Sequence, residues 1–291
     1  MTGPADHPPF DLWAEARRCD PDRALCTLFG PAARREELAA LVLLNHELAR
    51  VAETVRQPLA GLVRHRFWRD QLAAAAEGGR IDHPIAAALA SPLRENRLAL
   101  AELEALIAAR EAELDGLLDP ESAMPQPPPD ATALEAYLRA TSGGLARAMA
   151  RLLEAPAPLL AAAEAAGTAF GLVGIVRATV FEARRARRVL ARSLVDMAGL
   201  EPRLLDRPET RARLRAVVAP LLARAEAAIV EARRLAGRAD RAFLAPLLLA
   251  TVADVRLREL RRAGDDPFTA AERPAAALPL HLLAAWLRAR P

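Results

Sequence analysis

The sequence predicts an all-α protein, and three observations carry that prediction. Of 291 residues, 53% are hydrophobic but only 4% aromatic, and alanine and leucine, both strong helix formers, dominate while β-branched runs are scarce. Apolar residues recur at three- and four-residue spacing, the period of a half-buried helix, and no segment alternates with period two. Proline and glycine punctuate the chain where helices would start and stop. A chain this long buries a large core as one domain or two. Neither half carries a complete set of packing faces, so one helical domain over residues 11–291 is expected, after a loose leader at 1–10.

Taken in order, Asp11 or Asp20 is placed to cap a first helix that reaches Phe29. Cys19 and Cys26 lie two turns apart along it. They lack the C-x-x-C spacing of a metal or redox site and read as buried thiols in a reducing compartment. Gly30-Pro31 breaks the chain and opens a helix to about Val55. Leu38, Leu41, Val42, Asn45, Ala49, Ala52 and Glu53 share one of its sides, and Asn45 reads as an interhelical hydrogen bonder. Pro58 opens the next helix, which carries Trp68-Arg69 and ends at Gly78-Gly79. A short helix is expected over Pro84–Leu89 and a longer one from Pro92 to Leu118, before a proline-rich loop at Asp119–Asp130.

Leu134–Glu154 reads as helix with an internal Thr-Ser-Gly-Gly at 141–144, whose small residues suggest close approach of another helix. The stretch Gly167–Leu190 then stands out. At about 100° per residue, Gly171, Gly174, Ala178 and Glu182 form one narrow stripe. Glycine inside a helix costs about 1 kcal/mol relative to alanine. Something close must offset that cost, either a neighbouring helix packed tight or the floor of a pocket for a chain-like ligand. Long helices are expected over Arg211–Ala236 and Arg241–Arg262, a turn at Asp265-Asp266-Pro267-Phe268, and a last helix over Leu278–Arg288.

Composition excludes several functions. The formal charge is +3, and the chain has no lysine, so its 40 basic residues are all arginine. Acids and bases mix along most helices, which argues against a nucleic-acid partner. The N-terminus has no basic start followed by an apolar run, so no secretory signal is expected. The longest apolar stretches, Ala165–Val176 and Phe243–Val252, are too short to span a bilayer. A soluble, cytoplasmic protein with peripheral membrane contact is expected. His46, His65 and His83 have no metal-like spacing, and Ser142 has no identifiable histidine partner.

Four groups of residues carry a resemblance: Asn45–Glu53 (NHELARVAE), Trp68-Arg69, Gly171–Glu182 (GLVGIVRATVFE) and Ala263–Phe268. From about Asp20 to Phe268 the chain resembles the squalene/phytoene synthase family. The resemblance implies a single-domain bundle of the isoprenoid synthase type around a central cavity. It implies two aspartate-rich motifs on facing helices, holding magnesium for the diphosphates of two prenyl substrates. At the first motif, D-D-x-x-D, this chain has Ala49, Arg50 and Glu53. At the second, Arg177 is kept, but Ala178 and Phe181 replace acids and only Glu182 is acidic. Magnesium needs hard oxygen ligands and must neutralise a leaving diphosphate, so no metal site and no cofactor are expected, and no catalytic residue is assigned.

The altered first motif is similar to a non-catalytic branch of the family that assists assembly of respiratory complex I at the matrix face of the inner membrane. That likeness implies a respiratory-complex subunit or an isoprenoid or lipid ligand as partner, and a bacterial counterpart at the cytoplasmic face. The candidate pocket residues are Asn45, Ala49, Arg50, Glu53, Gly171, Gly174, Arg177, Ala178 and Glu182. Arg184, Arg185, Arg187 and Arg188 form a candidate anion or membrane contact. The alternative is a divergent prenyltransferase that uses Glu53 and Glu182 with arginines, and Mg2+, on isoprenyl diphosphates.

Overall fold

The computed structural model of the chain describes residues 10–55, 57–114, 127–185, 189–201, 204–272 and 277–291. The leader at 1–9, most of the proline-rich loop, and Arg187 and Arg188 lie outside the described residues. Every regular element among the described residues is helical. Asp11 caps α1 (Leu12–Cys19) by accepting from the Ala14 N–H, and Asp20 caps α2 (Pro21–Thr27) by accepting from Arg23. The single helix expected here is therefore two, because Asp20-Pro21 supplies a cap and a tolerated first residue. Cys26 is fully buried, whereas Cys19 on the other helix is only half-buried.

After a 3₁₀ turn at Ala32–Arg34 come α3 (Arg35–Thr54) and α4 (Pro58–Glu77), which ends on Gly78 at φ 78°. Next are α5 (Pro84–Arg94) and α6 (Leu100–Glu111). Pro92 does not open a helix as expected. It lies in the last turn of α5, and the break falls at Asn96, whose φ of 56° is left-handed. The Leu98 N–H donating to the Pro92 carbonyl at 3.0 Å closes that turn.

The second half holds α7 (Ala131–Leu138), a π-helical turn at Arg139–Gly143, α8 (Gly144–Leu152) and the 28-residue α9 (Ala157–Arg184). It continues with α10 (Arg192–Met197), α11 (Pro208–Ala236), α12 (Leu244–Leu247), α13 (Leu249–Arg262), α14 (Pro267–Ala271) and α15 (Leu278–Arg288). The helix expected over Arg241–Arg262 is thus divided, with a 3₁₀ turn at Arg241–Phe243 and a break at Leu248, two residues after Pro246. Asp266 caps α14, accepting from the Phe268 and Thr269 N–H groups, which is the expected turn.

The packing has two centres. Helix α3 is buried along most of its length and gathers α1, α4, α5 and α6 around a leucine-rich core. Helix α9 is the axis of the other half and packs on α11, α13, α12, α14 and α7. Leu172, Val173, Val176 and Val180 meet Leu214, Val218 and Leu221 there. Helix α8 touches both centres and joins them. Helix α9 is also long and apolar enough, by length and composition, to cross a membrane, because the helix runs well beyond the apolar stretch read from sequence. In its most apolar window 61% of residues are buried inside the fold, which fits a core helix.

Candidate functional site

The expected close approach at Thr141–Gly144 is present, and α9 is what approaches. A Cβ on Gly143 would stand 2.7 Å from Thr168 Oγ1 and 2.9 Å from the Glu164 carbonyl oxygen. A Cβ on Gly167 would strike the Ser142 carbonyl and stand 2.7 Å from Ala146 Cβ. The two backbones touch because neither residue has a side chain. Ser142 Oγ donates to the Gly167 carbonyl at 2.6 Å and accepts from Arg23 at 2.7 Å. Arg23 is itself buried, pairs with Asp20 at 2.5 Å and stacks on the Phe170 ring at 4.4 Å. The side chain that meets Ser142, for which the sequence offered no histidine, is thus an arginine from α2.

Further along the stripe the surroundings change. A Cβ on Gly171 would lie 3.0 Å from Ser142 Cβ and 3.2 Å from Leu138. A Cβ on Gly174 would meet nothing within 4 Å, so the stripe opens onto space there. Ala178 and Glu182 continue it, half-buried. Arg177 borders it, with a side chain 43% exposed, and pairs with Asp22 at 3.7 Å. Asp22 is held more closely by Arg256 on α13, at 3.0 Å, and Arg256 also pairs with Glu259 at 3.3 Å. Burial and the neighbouring Arg256 charge hold the Arg177 pKa below its ordinary value. Glu182 pairs with Arg185 at 3.3 Å, and Arg184 and Arg185 are both exposed.

The α3 wall carries a second, half-buried network. Asn45 Oδ1 accepts from the Arg110 guanidinium at 3.4 Å, so Asn45 is the interhelical hydrogen bonder expected. Arg110 also donates to Glu113 at 2.9 Å and to the Tyr137 hydroxyl at 2.5 Å, and its guanidinium lies 5.6 Å from the Tyr137 ring centroid. Tyr137 in turn donates to Glu113 at 2.6 Å. Burial opposes the Arg110 charge, but Tyr137 and Glu113 outweigh it and leave the guanidinium pKa raised, with Glu53 adding to the effect. Burial drives the Tyr137 phenol pKa up. Ala49 is half-buried and Glu53 exposed. Arg50 points elsewhere. It pairs with Glu47 at 3.7 Å and lines a separate groove between α3 and α4.

The interior thus presents guanidinium–carboxylate pairs. Asp20, Asp22, Glu113, Glu182 and Glu259 each have an arginine partner. Among the described residues no three His, Cys, Asp or Glu side chains gather in the way that would hold a metal ion. Sequence reading did not find Asp22, Arg110, Glu113 or Arg256. Asp22 and Arg256 lie 234 positions apart, and no local spacing joins them. Tyr137, the only tyrosine, was the one available signal, since a buried phenol needs a partner.

Comparisons place this geometry among known proteins. A family model described as squalene/phytoene synthase matches residues 16–281. The NADH dehydrogenase (ubiquinone) complex I assembly factor 6 of Bos taurus is 31% identical over 99 residues, 34% of this chain and 30% of that protein. The match therefore spans less than a third of that relative. A ligand-bound dehydrosqualene synthase superposes with a TM-score of 0.76 at 17% identity, covering 95% of this chain and 94% of the other. A squalene synthase from Alicyclobacillus acidocaldarius does so with a TM-score of 0.69 at 16% identity, covering 88% and 95%. At those identities the likeness is one of fold, an all-α isoprenoid synthase fold.

Proposed function

This chain belongs to the squalene/phytoene synthase family, and on that premise we propose that it is a non-catalytic member acting in assembly or lipid handling. The observation that carries the reading is the state of the carboxylates. Ala49, Arg50, Ala178 and Phe181 stand where the family motifs have acids, and Asp22, Glu113 and Glu182 near them are already engaged by guanidinium groups. Magnesium requires several hard oxygen ligands in near-octahedral array. The donor set around Asn45–Glu53 and Gly171–Glu182 does not fit it, and no step through a metal follows.

The likeness to the assembly factor supports a role in building a respiratory complex, with a subunit of that complex as partner. The open space at Gly174 supports an isoprenoid or other lipid as ligand. On this reading the protein works in the cytoplasm, at the inner face of the inner membrane, as one helical domain over 11–291 whose exposed Arg184 and Arg185 meet lipid headgroups or another anion. The test is incubation of the purified protein with farnesyl or geranylgeranyl diphosphate and Mg2+. No pyrophosphate release is expected. Release abolished by chelation, and by Glu53→Gln with Glu182→Gln, would establish the divergent prenyltransferase instead.

A further inference from the structure

We infer that the exposed face of α4, with the groove beside it, docks an acidic amphipathic helix of a partner protein. Leu59, Leu62, Val63 and Phe67 repeat at helical spacing and are 70%, 44%, 62% and 42% exposed. Four large apolar side chains on one face of one helix make a contiguous patch of the kind that marks an interaction site. Between α3 and α4 this patch borders a concavity of about 390 Å³ lined by Val51, Thr54, Trp68 and His83, with two arginines, Arg50 and Arg64, against one carboxylate, Glu47. The floor is fixed. Trp68 is buried and meets His83 edge-on at 4.7 Å, and Gln71 Oε1 accepts from the backbone N–H groups of Asp82 and His83. A rigid hollow beside an apolar ridge takes a protruding side chain from a partner helix, which the flat surface of a bilayer does not offer.

Charge selects the partner. Arg64 donates to Thr54 Oγ1 at 2.5 Å and has no carboxylate partner among the described residues. Arg50 reaches Glu47 only at 3.7 Å. Arg66 and Arg69 on the same helix are already paired with Asp70 and Glu111, so the cations beside the hollow are Arg64 and the loosely held Arg50. A helix with apolar residues three or four apart and carboxylates beside them would fill the hollow and complete the pairs. This deepens the assembly reading by naming the face that meets the partner, and it stands or falls separately from the pyrophosphate measurement.

The test is site-specific photo-crosslinking of the whole chain in its native cells, with a photoreactive residue at position 63 or 67. Val230 on α11, 61% exposed, serves as the reference position. The expected result is one polypeptide joined from 63 and from 67 but not from 230. Mass spectrometry should map the joined residue to a segment with apolar residues at helical spacing and at least two carboxylates. Arg64→Glu, at an exposed site, should reduce the adduct at least tenfold with an unchanged melting temperature, and Phe67→Asp should do the same for the position-63 adduct. Adducts to lipid alone, to a second copy of this chain or to a segment lacking carboxylates would overturn the inference. So would identical patterns at 63 and 230, the absence of any adduct, or an adduct insensitive to Arg64→Glu.

Discussion

Gly167 and Gly174 lie two turns apart on α9, and their surroundings are opposite. Around Gly167 the π-helical turn presses its backbone against the helix, so that a Cβ would overlap Ser142 and Ala146. Around Gly174 a Cβ would meet nothing. One helix is therefore pressed against protein at one turn and free of close neighbours two turns on. A Cβ on Gly171, between them, would meet Ser142 and Leu138 at 3.0–3.3 Å, tighter than an ordinary contact. The lesson is that small residues in a row report a constraint without saying whether the neighbour is protein or an open volume. The tight-packing reading holds for the stripe at Gly171, whereas at Gly174 the neighbouring helix has drawn away.

The comparison can be broken at its stiffest point first. Arg110→Met should leave Glu113 and Tyr137 without their cation and cost about 3–5 kcal/mol, read as a fall in denaturant midpoint. Retention of wild-type stability would show that the network on the α3 side is incidental. Gly167→Ala should cost about 1–3 kcal/mol by overpacking against backbone that cannot move aside. Gly174→Ala should instead stabilise by about 1 kcal/mol, the ordinary helix preference of alanine. If both glycine variants shifted stability in the same direction, the contrast along α9 would be lost.

The smallest effect expected is one of pH. His46, His65 and His83 all lie on the α3–α5 side, and burial pulls the pKa of each below its ordinary value. Glu111, 4.0 Å from His65 Nδ1, opposes this in part. A base whose folded pKa is depressed takes up its proton less readily than in the unfolded chain. The stability it contributes is present above about pH 6.5 and is lost as the pH falls. Hydrogen exchange at pH 5.5 against pH 7.5 should therefore show α3–α5 losing protection before α9 and α11. Equal losses in both regions would deny the asymmetry, and His65→Leu should remove part of it.

Much of the fold was legible because its signals are local. Gly78, Asp11 and Asp20 act on their own turns, and the last helix, Leu278–Arg288, has the bounds its sequence gives, whereas α11 starts at Pro208, a turn before the expected Arg211. The close crossing at Ser142–Gly144 was also readable, since only glycine permits it. Pro92 misled because a proline near the end of one helix resembles a proline at the start of the next. The site was less legible. Asn45 announced a polar partner but not which one, and Arg110 comes from a helix with no sequence relation to α3. Arg50 lies in the altered motif, yet it turns toward the α4 groove, because one residue's step around a helix is 100°.

The Arg110 network has a consequence for how the protein comes into being. Its cation is a side chain, delivered with the polypeptide at synthesis and positioned when α6 and α7 close on α3. The charges of that wall are therefore completed by the polypeptide's own groups as it folds.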